Sequence, residues 1–262
     1  MDNSLLKRIV PLFPKELAEN RASYSAMLRE YLQCLILDFL SKQKETAKMV
    51  FIGGTSLRII HGINRFSEDL DFDCKDLSGD EFMQLTDRVI SYLKNSGFIV
   101  QAKEKESGHL AAYRRSISFP ELLFDMKLSG YRNQRFLVKI EAQDQGIGYD
   151  PQISIVNRCG FLFPLNTAPL DILCSMKVAT VLSRSKGRDF YDLVFLLQRT
   201  SPSYDYLKVK CGISDKEKLK EKLIELSEKT DFTAKSMDFR HLLMNKQEAE
   251  RILYFREFVK SL

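Results

Sequence analysis

Ser67-Glu68-Asp69-Leu70-Asp71-Phe72 is the stretch on which the reading of the whole chain turns. From Asp69 to Cys74 acidic and apolar residues alternate, which is the period of a strand. Residues two apart on a strand point the same way. Asp69 and Asp71 therefore stand side by side, Asp73 continues their row, and Leu70 and Phe72 face the opposite, buried side. Like charges in a row repel. A solvated edge strand tolerates them, whereas a divalent cation neutralises them. Magnesium takes hard oxygen ligands and binds through one or two carboxylates plus substrate phosphates. Two such ions can activate an attacking oxygen and stabilise the leaving one.

Upstream, Lys48-Met49-Val50-Phe51-Ile52 reads as a short buried strand stopped by Gly53-Gly54-Thr55, with a short helix from Ser56 to His61. Two adjacent glycines let a backbone approach a phosphate closely, and helix N-terminal N–H groups face the anion. Alone, this is more often an ordinary connector. Residues 17–46 read as one long helix, with Tyr24, Leu28, Tyr31, Leu32, Leu35 and Phe39 at helical spacing. Ser78 with Glu81 three later is a capping box. The helix it opens carries Phe82, Leu85, Val89, Tyr92 and Leu93 and stops near Gly97.

Strands are expected at 98–103, 111–119, 122–129 and 135–142, the last two forming a hairpin around Ser129–Asn133. Between Gly146 and Pro169 the Pro and Gly content suggests a surface linker. Beyond it the pattern is helical, at 169–184, 188–199, 203–211, 214–229, 233–245 and 247–261. The fold class expected is α+β: a mixed sheet flanked by helices over residues 1–165, then an all-helical half over 166–262.

Composition sets bounds. A chain of 262 residues can bury a core without disulfides or structural metals. Its net charge of +5 permits nucleic-acid binding without arguing for it. His61, His109 and His241 lack metal-ligand spacing. The five Cys are odd in number and form no C-x-x-C pair, as in a reduced, intracellular chain. No signal-peptide shape and no membrane-spanning apolar run is visible, so a cytoplasmic, membrane-free protein is expected.

In the second half, Lys177 to Arg188 holds four basic residues and no acid, followed by Asp189 and Asp192. Lys and Arg stabilise charge developing on phosphoryl oxygens. The plainer reading is a solvated helix face followed by acids that cap the next helix.

A strand, Gly-Gly-Thr, a short helix and a strand with Asp-x-Asp resemble the active-site pattern of the DNA polymerase β-like nucleotidyltransferases. That superfamily usually adds a third carboxylate from a neighbouring strand. Glu141, sharing a strand face with Lys139, is the first candidate and Asp125 the second. A surface Glu paired with Lys139 is an equally good account of Glu141.

Gly53–Leu57, Arg65–Phe72, and Lys177 with Arg188-Asp189-Phe190-Tyr191-Asp192 together resemble the AbiEii/AbiGii toxin nucleotidyltransferases, over roughly residues 45–200. The resemblance implies an NTP substrate, two Mg²⁺ ions, an RNA acceptor with tRNA foremost, and a separate antitoxin. It implies metal binding by Asp69 and Asp71, and triphosphate contacts from Gly53, Gly54, Thr55 and Ser67. Lys177 would bind phosphate and Asp192 would complete the catalytic set, held by Arg188 or Asp189. A protein or small-molecule acceptor, or a nucleotide-binding module without catalysis, is the alternative. A monomer is expected. The last 62 residues, with 13 basic and 11 acidic, carry a weak electrostatic footprint for an acceptor.

Overall fold

The computed structural model describes residues 4–103 and 112–262, so His109 lies outside the described residues. The architecture is α+β, and the chain divides into two compact units. Unit 1 comprises Met1–His61, Phe66–Gln145 and Gln152–Thr167; unit 2 comprises Gly62–Arg65, Gly146–Pro151 and Ala168–Leu262. Among the described residues, no helix is long and apolar enough to cross a membrane.

Unit 1 opens with two short helices, α1 (Ser4–Ile9) and α2 (Lys15–Ala18), and then α3 (Tyr24–Ser41). The single helix expected over 17–46 is broken because the Asn20 side chain accepts from the Ala22 N–H and starts a 3-10 turn. Asn competes with the helical backbone in this way. Helix α3 buries more than one stripe: Leu28, Leu32 and Leu35 are joined in the interior by Glu30, Cys34 and Ile36. Strand β1 (Met49–Ile52) runs straight into α4 (Gly53–Ile59), and β2 (Asp69–Cys74) follows. Helix α5 (Gly79–Asn95) is opened by the expected capping box, in which Ser78 Oγ accepts from Glu81 N at 3.2 Å and Glu81 accepts from Ser78 N at 2.9 Å. Then come β3 (Gln101–Lys103), β4 (Ala112–Ser118), α6 (Leu122–Asp125), β5 (Leu137–Gln143), β6 (Gln152–Arg158) and β7 (Phe161–Thr167).

The described strands form one sheet in the order β3-β4-β5-β2-β1-β7-β6. Its centre is mixed: β2 runs antiparallel to β1 and parallel to β5. Leu70 and Phe72 are buried on one face of β2, and the Phe72 ring meets Phe51 of β1 at 5.4 Å.

Two sequence expectations fail here. Residues 122–129 are no strand, because Glu121 takes a left-handed φ of 58° and the run Leu122-Leu123-Phe124 closes into helix α6. Short apolar runs without alternation do not distinguish the two states. The expected hairpin is therefore replaced by β5 lying between β4 and β2. Nor is the region from Gly146 to Pro169 mainly linker. Residues 152–167 form the β6–β7 hairpin, turned by Cys159 (φ 52°) and Gly160 (φ 81°). Left-handed φ at both central residues is what a twisted two-residue hairpin turn needs. Pro164 is tolerated in β7 because β1 pairs with that strand at Thr167 only.

Unit 2 is helical: α7 (Leu170–Arg184), α8 (Gly187–Leu197), α9 (Tyr204–Cys211), α10 (Lys216–Glu228), α11 (Phe232–Asp238), a 3-10 segment Lys246–Tyr254, and α12 (Phe255–Ser261). Phe190 is fully buried, with Phe232 and Phe255 edge-on to it at 5.0 and 4.9 Å. A Cβ on Gly187 would overlap the Lys235 carbonyl oxygen and lie 2.5 Å from Asp238 Oδ1. Only glycine therefore lets α8 start where it does, with its Gly187 N–H donated to Asp238 at 3.1 Å.

Candidate active site

In unit 1 the acids are set by strand register. Asp69, Asp71 and Asp73 alternate with buried Leu70 and Phe72, so the three carboxylates share one face of β2. Parallel pairing puts Lys139 opposite Asp69 and Glu141 opposite Asp71. Lys139 Nζ lies 3.5 Å from Asp69 Oδ1. Burial pushes the Asp69 carboxyl above its ordinary value; Lys139 opposes the shift, while Glu141 and Glu68 add to it. Asp69 is thus a carboxylate whose charge the protein does not fully compensate.

The loop before α4 is fitted to this row. Gly53 has φ +76°, and a Cβ there would overlap Asp71 Oδ2, so a glycine is required twice over. Gly54 follows it, half-buried, in the first turn of α4. Thr55 is fully buried, and its hydroxyl donates to the Asp69 carbonyl at 2.5 Å. That side chain fastens α4 to β2, which leaves Thr55 only its backbone to offer a ligand. Ser56 Oγ is buried with no hydrogen-bond partner among the described residues. Ser67, half-buried just ahead of β2, is held through its carbonyl by Gln33 Nε2 at 3.1 Å.

Glu141 reaches the acidic row through register but is engaged elsewhere. Arg114, opposite it on β4, grips it with two bonds, Nε–Oε1 at 2.7 Å and Nη2–Oε2 at 3.0 Å. The Glu141 partner expected from sequence was Lys139; that lysine instead faces Asp69. Asp125 is exposed on α6, outside the strand pair that carries the row. Among the described residues, no three His, Cys, Asp or Glu side chains are arranged to hold a metal by themselves. Asp69 and Asp71 nonetheless fit a magnesium ion that takes its remaining ligands from substrate phosphates and water.

Unit 2 holds a second charged cluster. Arg65 and Asp192 are both essentially inaccessible and form a fork, Nε–Oδ1 at 2.5 Å and Nη2–Oδ2 at 2.6 Å. Lys177, on α7, places Nζ 2.8 Å from Asp192 Oδ2 and 3.1 Å from Asp189 Oδ1. Arg184 completes the cluster with two bonds to Asp189, at 2.9 and 3.0 Å. Burial alone would raise both acids. Lys177 and Arg184 outweigh it at Asp189, and Arg65 and Lys177 at Asp192, so both carboxyls are held below the ordinary range. Arg188 is half-buried in the first turn of α8. Lys177, Asp189 and Asp192 are therefore brought together; Asp192, expected to be held by Arg188 or Asp189, is gripped by Arg65 and Lys177, and Arg184 binds Asp189. Arg65 and Arg114 were not singled out from sequence. Arg65 stands in the quoted motif, but only the fold shows that it reaches Asp192.

A family model described as nucleotidyl transferase AbiEii toxin, type IV TA system, matches residues 35–255. Among solved structures, MenT4, a nucleotidyltransferase toxin from Mycobacterium tuberculosis H37Rv, superposes with a TM-score of 0.61 at 18% identity, covering 100% of this chain and 90% of that one. JHP933 from Helicobacter pylori superposes with a TM-score of 0.53 at 20% identity, covering 90% of each chain. No curated protein sequence matches.

Proposed function

This chain belongs to the AbiEii family of nucleotidyltransferase toxins of type IV toxin–antitoxin systems, and from that membership we propose that it moves a nucleoside monophosphate from an NTP to an RNA acceptor, with tRNA the first to test. The observation that carries the reading is the row Asp69, Asp71 with Glu141 in register beside it, in which Asp69 is left short of positive charge. Like-charged groups on one strand face cost stability unless a ligand uses them. A row kept behind Gly53, where a Cβ would overlap Asp71 Oδ2, supports the reading of a cation site.

In this reading Asp69 and Asp71 hold Mg²⁺, and Glu141 would join them only by releasing Arg114. A bound divalent ion would neutralise triphosphate charge and polarise the reacting oxygens. The backbone at Gly53 and Gly54 lets phosphate oxygens approach, and Ser67 offers a hydroxyl. A hydroxyl oxygen of the acceptor gives up its proton to solvent and bonds to the α-phosphorus as the bond to pyrophosphate breaks. In unit 2 we assign Lys177 to phosphate binding. Asp192 then positions Lys177; its own complete burial and its saturation by Arg65 and Lys177 favour this over contact with substrate. Arg188 is assigned to nucleotide binding beside it. An antitoxin partner follows from the family; a cytoplasmic, monomeric toxin belongs to the proposal.

The test is incubation with Mg²⁺, each α-³²P-labelled NTP in turn and total RNA, beside Asp69→Asn. Label in a tRNA-sized band that disappears in the variant supports the reading and names the nucleotide. Label in protein, or none in any acceptor, contradicts it.

A further inference from the structure

Unit 2 contains a cavity of about 340 Å³, walled by the Gly62–Asn64 loop, the outer face of α8 and the 3-10 segment Lys246–Tyr254. Neither the acidic row nor Lys177 lines it. Its size falls in the range of small-molecule sites, and its lining has a particular chemistry. Phe195 lines it with one face of its ring covered by Arg199, whose guanidinium carbon lies 3.6 Å from the ring centre. Arg199 donates to the Phe195 carbonyl at 2.8 Å and pairs with no acid among the described residues. Arg251 is 61% exposed and shares Glu248 at 3.3 Å.

Glu248 is the one acid that Arg251 meets among the described residues, and it is already committed. It accepts from the Tyr191 hydroxyl at 2.5 Å and from Asn64 Nδ2 at 3.5 Å. Two arginines against one carboxylate leave a net positive charge at the mouth. The amides of Gln198 and Asn64 add donors and acceptors to the same wall.

We propose that this cavity binds one nucleotide unit, with the phosphate on Arg199 and Arg251 and the base against Phe195. Arginine beside an aromatic face is what sequence-tolerant recognition of a single nucleotide uses: the ring stacks on any base and the cation takes the phosphate. The amides can hydrogen-bond the exposed edge of an unpaired base. The unit could be a free mononucleotide or one residue of an RNA strand. In the second case the site deepens the acceptor reading above and rests on it.

The chain has no Trp, so Phe195→Trp places its sole indole in the cavity wall. Emission is followed in EDTA, without NTP, while each of the four nucleoside monophosphates, a short single-stranded RNA and pyrophosphate are titrated in. Saturable quenching by nucleotides or RNA, weakened about tenfold or more by adding Arg199→Ala and Arg251→Ala, is expected. Quenching by RNA alone assigns the unit to a strand; quenching by mononucleotides as well assigns a free-nucleotide site. Quenching that pyrophosphate matches, or that survives loss of both arginines, overturns the proposal.

Labelled-RNA anisotropy with the otherwise wild-type chain gives a second reading that does not depend on how Phe195→Trp folds. Removing both exposed arginines should flatten its salt dependence, by roughly 0.7 per lost phosphate contact. An unchanged affinity and slope would contradict a strand-borne unit. None of these measurements needs transfer to occur, so an inactive acidic row and an empty cavity give different results.

Discussion

Asp69 of unit 1 and Asp192 of unit 2 both lie among other acids, yet their surroundings treat charge in opposite ways. Asp192 is sealed from solvent and met by a guanidinium fork and an ammonium, and its carboxyl is held below the ordinary range. Asp69 keeps some exposure, has one lysine at 3.5 Å, and has its carboxyl pushed up by burial and neighbouring acids. A carboxylate saturated by the protein's own cations is part of the framework. One left under-compensated has capacity for a cation from outside. The same residue type thus does two jobs, and the partners rather than the motif distinguish them.

The largest effect should come from the saturated cluster. Removing one partner of a buried ion pair leaves the other uncompensated, at about 3–5 kcal/mol. Asp192→Asn should therefore lower the unfolding free energy of unit 2 by that order, measured by denaturant titration. Its activity should fall along with its folded population. Acid should act in the matching direction. Because the folded-state carboxyls of Asp189 and Asp192 are depressed, their stabilisation is complete above the unfolded value of about 3.9 and is lost as pH falls through the lower folded value. A stability–pH curve for Asp192→Asn should lose Asp192's share of that acid-side slope.

Next in size is chemistry without unfolding. Asp69→Asn should cut nucleotide transfer by about 100-fold or more, the scale of losing one electrostatic contact to the transition state, while leaving the fold intact by circular dichroism. A variant with comparable activity would erase the distinction between the two clusters. Gly187→Ala tests packing alone. Its methyl has nowhere to go but the Lys235 carbonyl, so unit 2 should lose roughly 1–3 kcal/mol, as overpacked sites do. The smallest effect has the opposite sign. The raised carboxyl of Asp69 imposes no cost below the unfolded value and costs stability as pH rises through its folded value. Metal-free Asp69→Asn should therefore melt slightly above wild type at pH 7, and the gap should close at pH 3.

Much of this comparison was legible in the chain itself. Alternation places Asp69, Asp71 and Asp73 on one face, and Ser78 with Glu81 announces its helix, because both signals are local. Partners are not local. Glu141 is opposite Asp71 only through parallel pairing across distant strands, and Arg114 claims it through a third strand. Arg65 precedes the acidic motif yet reaches Asp192, 127 residues away. The β6–β7 hairpin was hidden because Gly160 and Pro164 resemble loop residues until a turn and a half-paired strand give them positions. Phe195, Arg199 and Arg251 carry no motif, and the cavity exists only once the helices fold.

The proposed function has Asp69 take up a cation that Asp192 does not need. It is tested most directly by following the carboxyl ¹³C resonances of both residues against pH, assigned through Asp69→Asn and Asp192→Asn, with and without Mg²⁺ and a non-hydrolysable NTP. Asp69 should titrate above the ordinary carboxylate value alone and well below it with Mg²⁺ and nucleotide, while Asp192 stays depressed throughout. An Asp69 titration that Mg²⁺ and nucleotide leave unmoved would contradict the account.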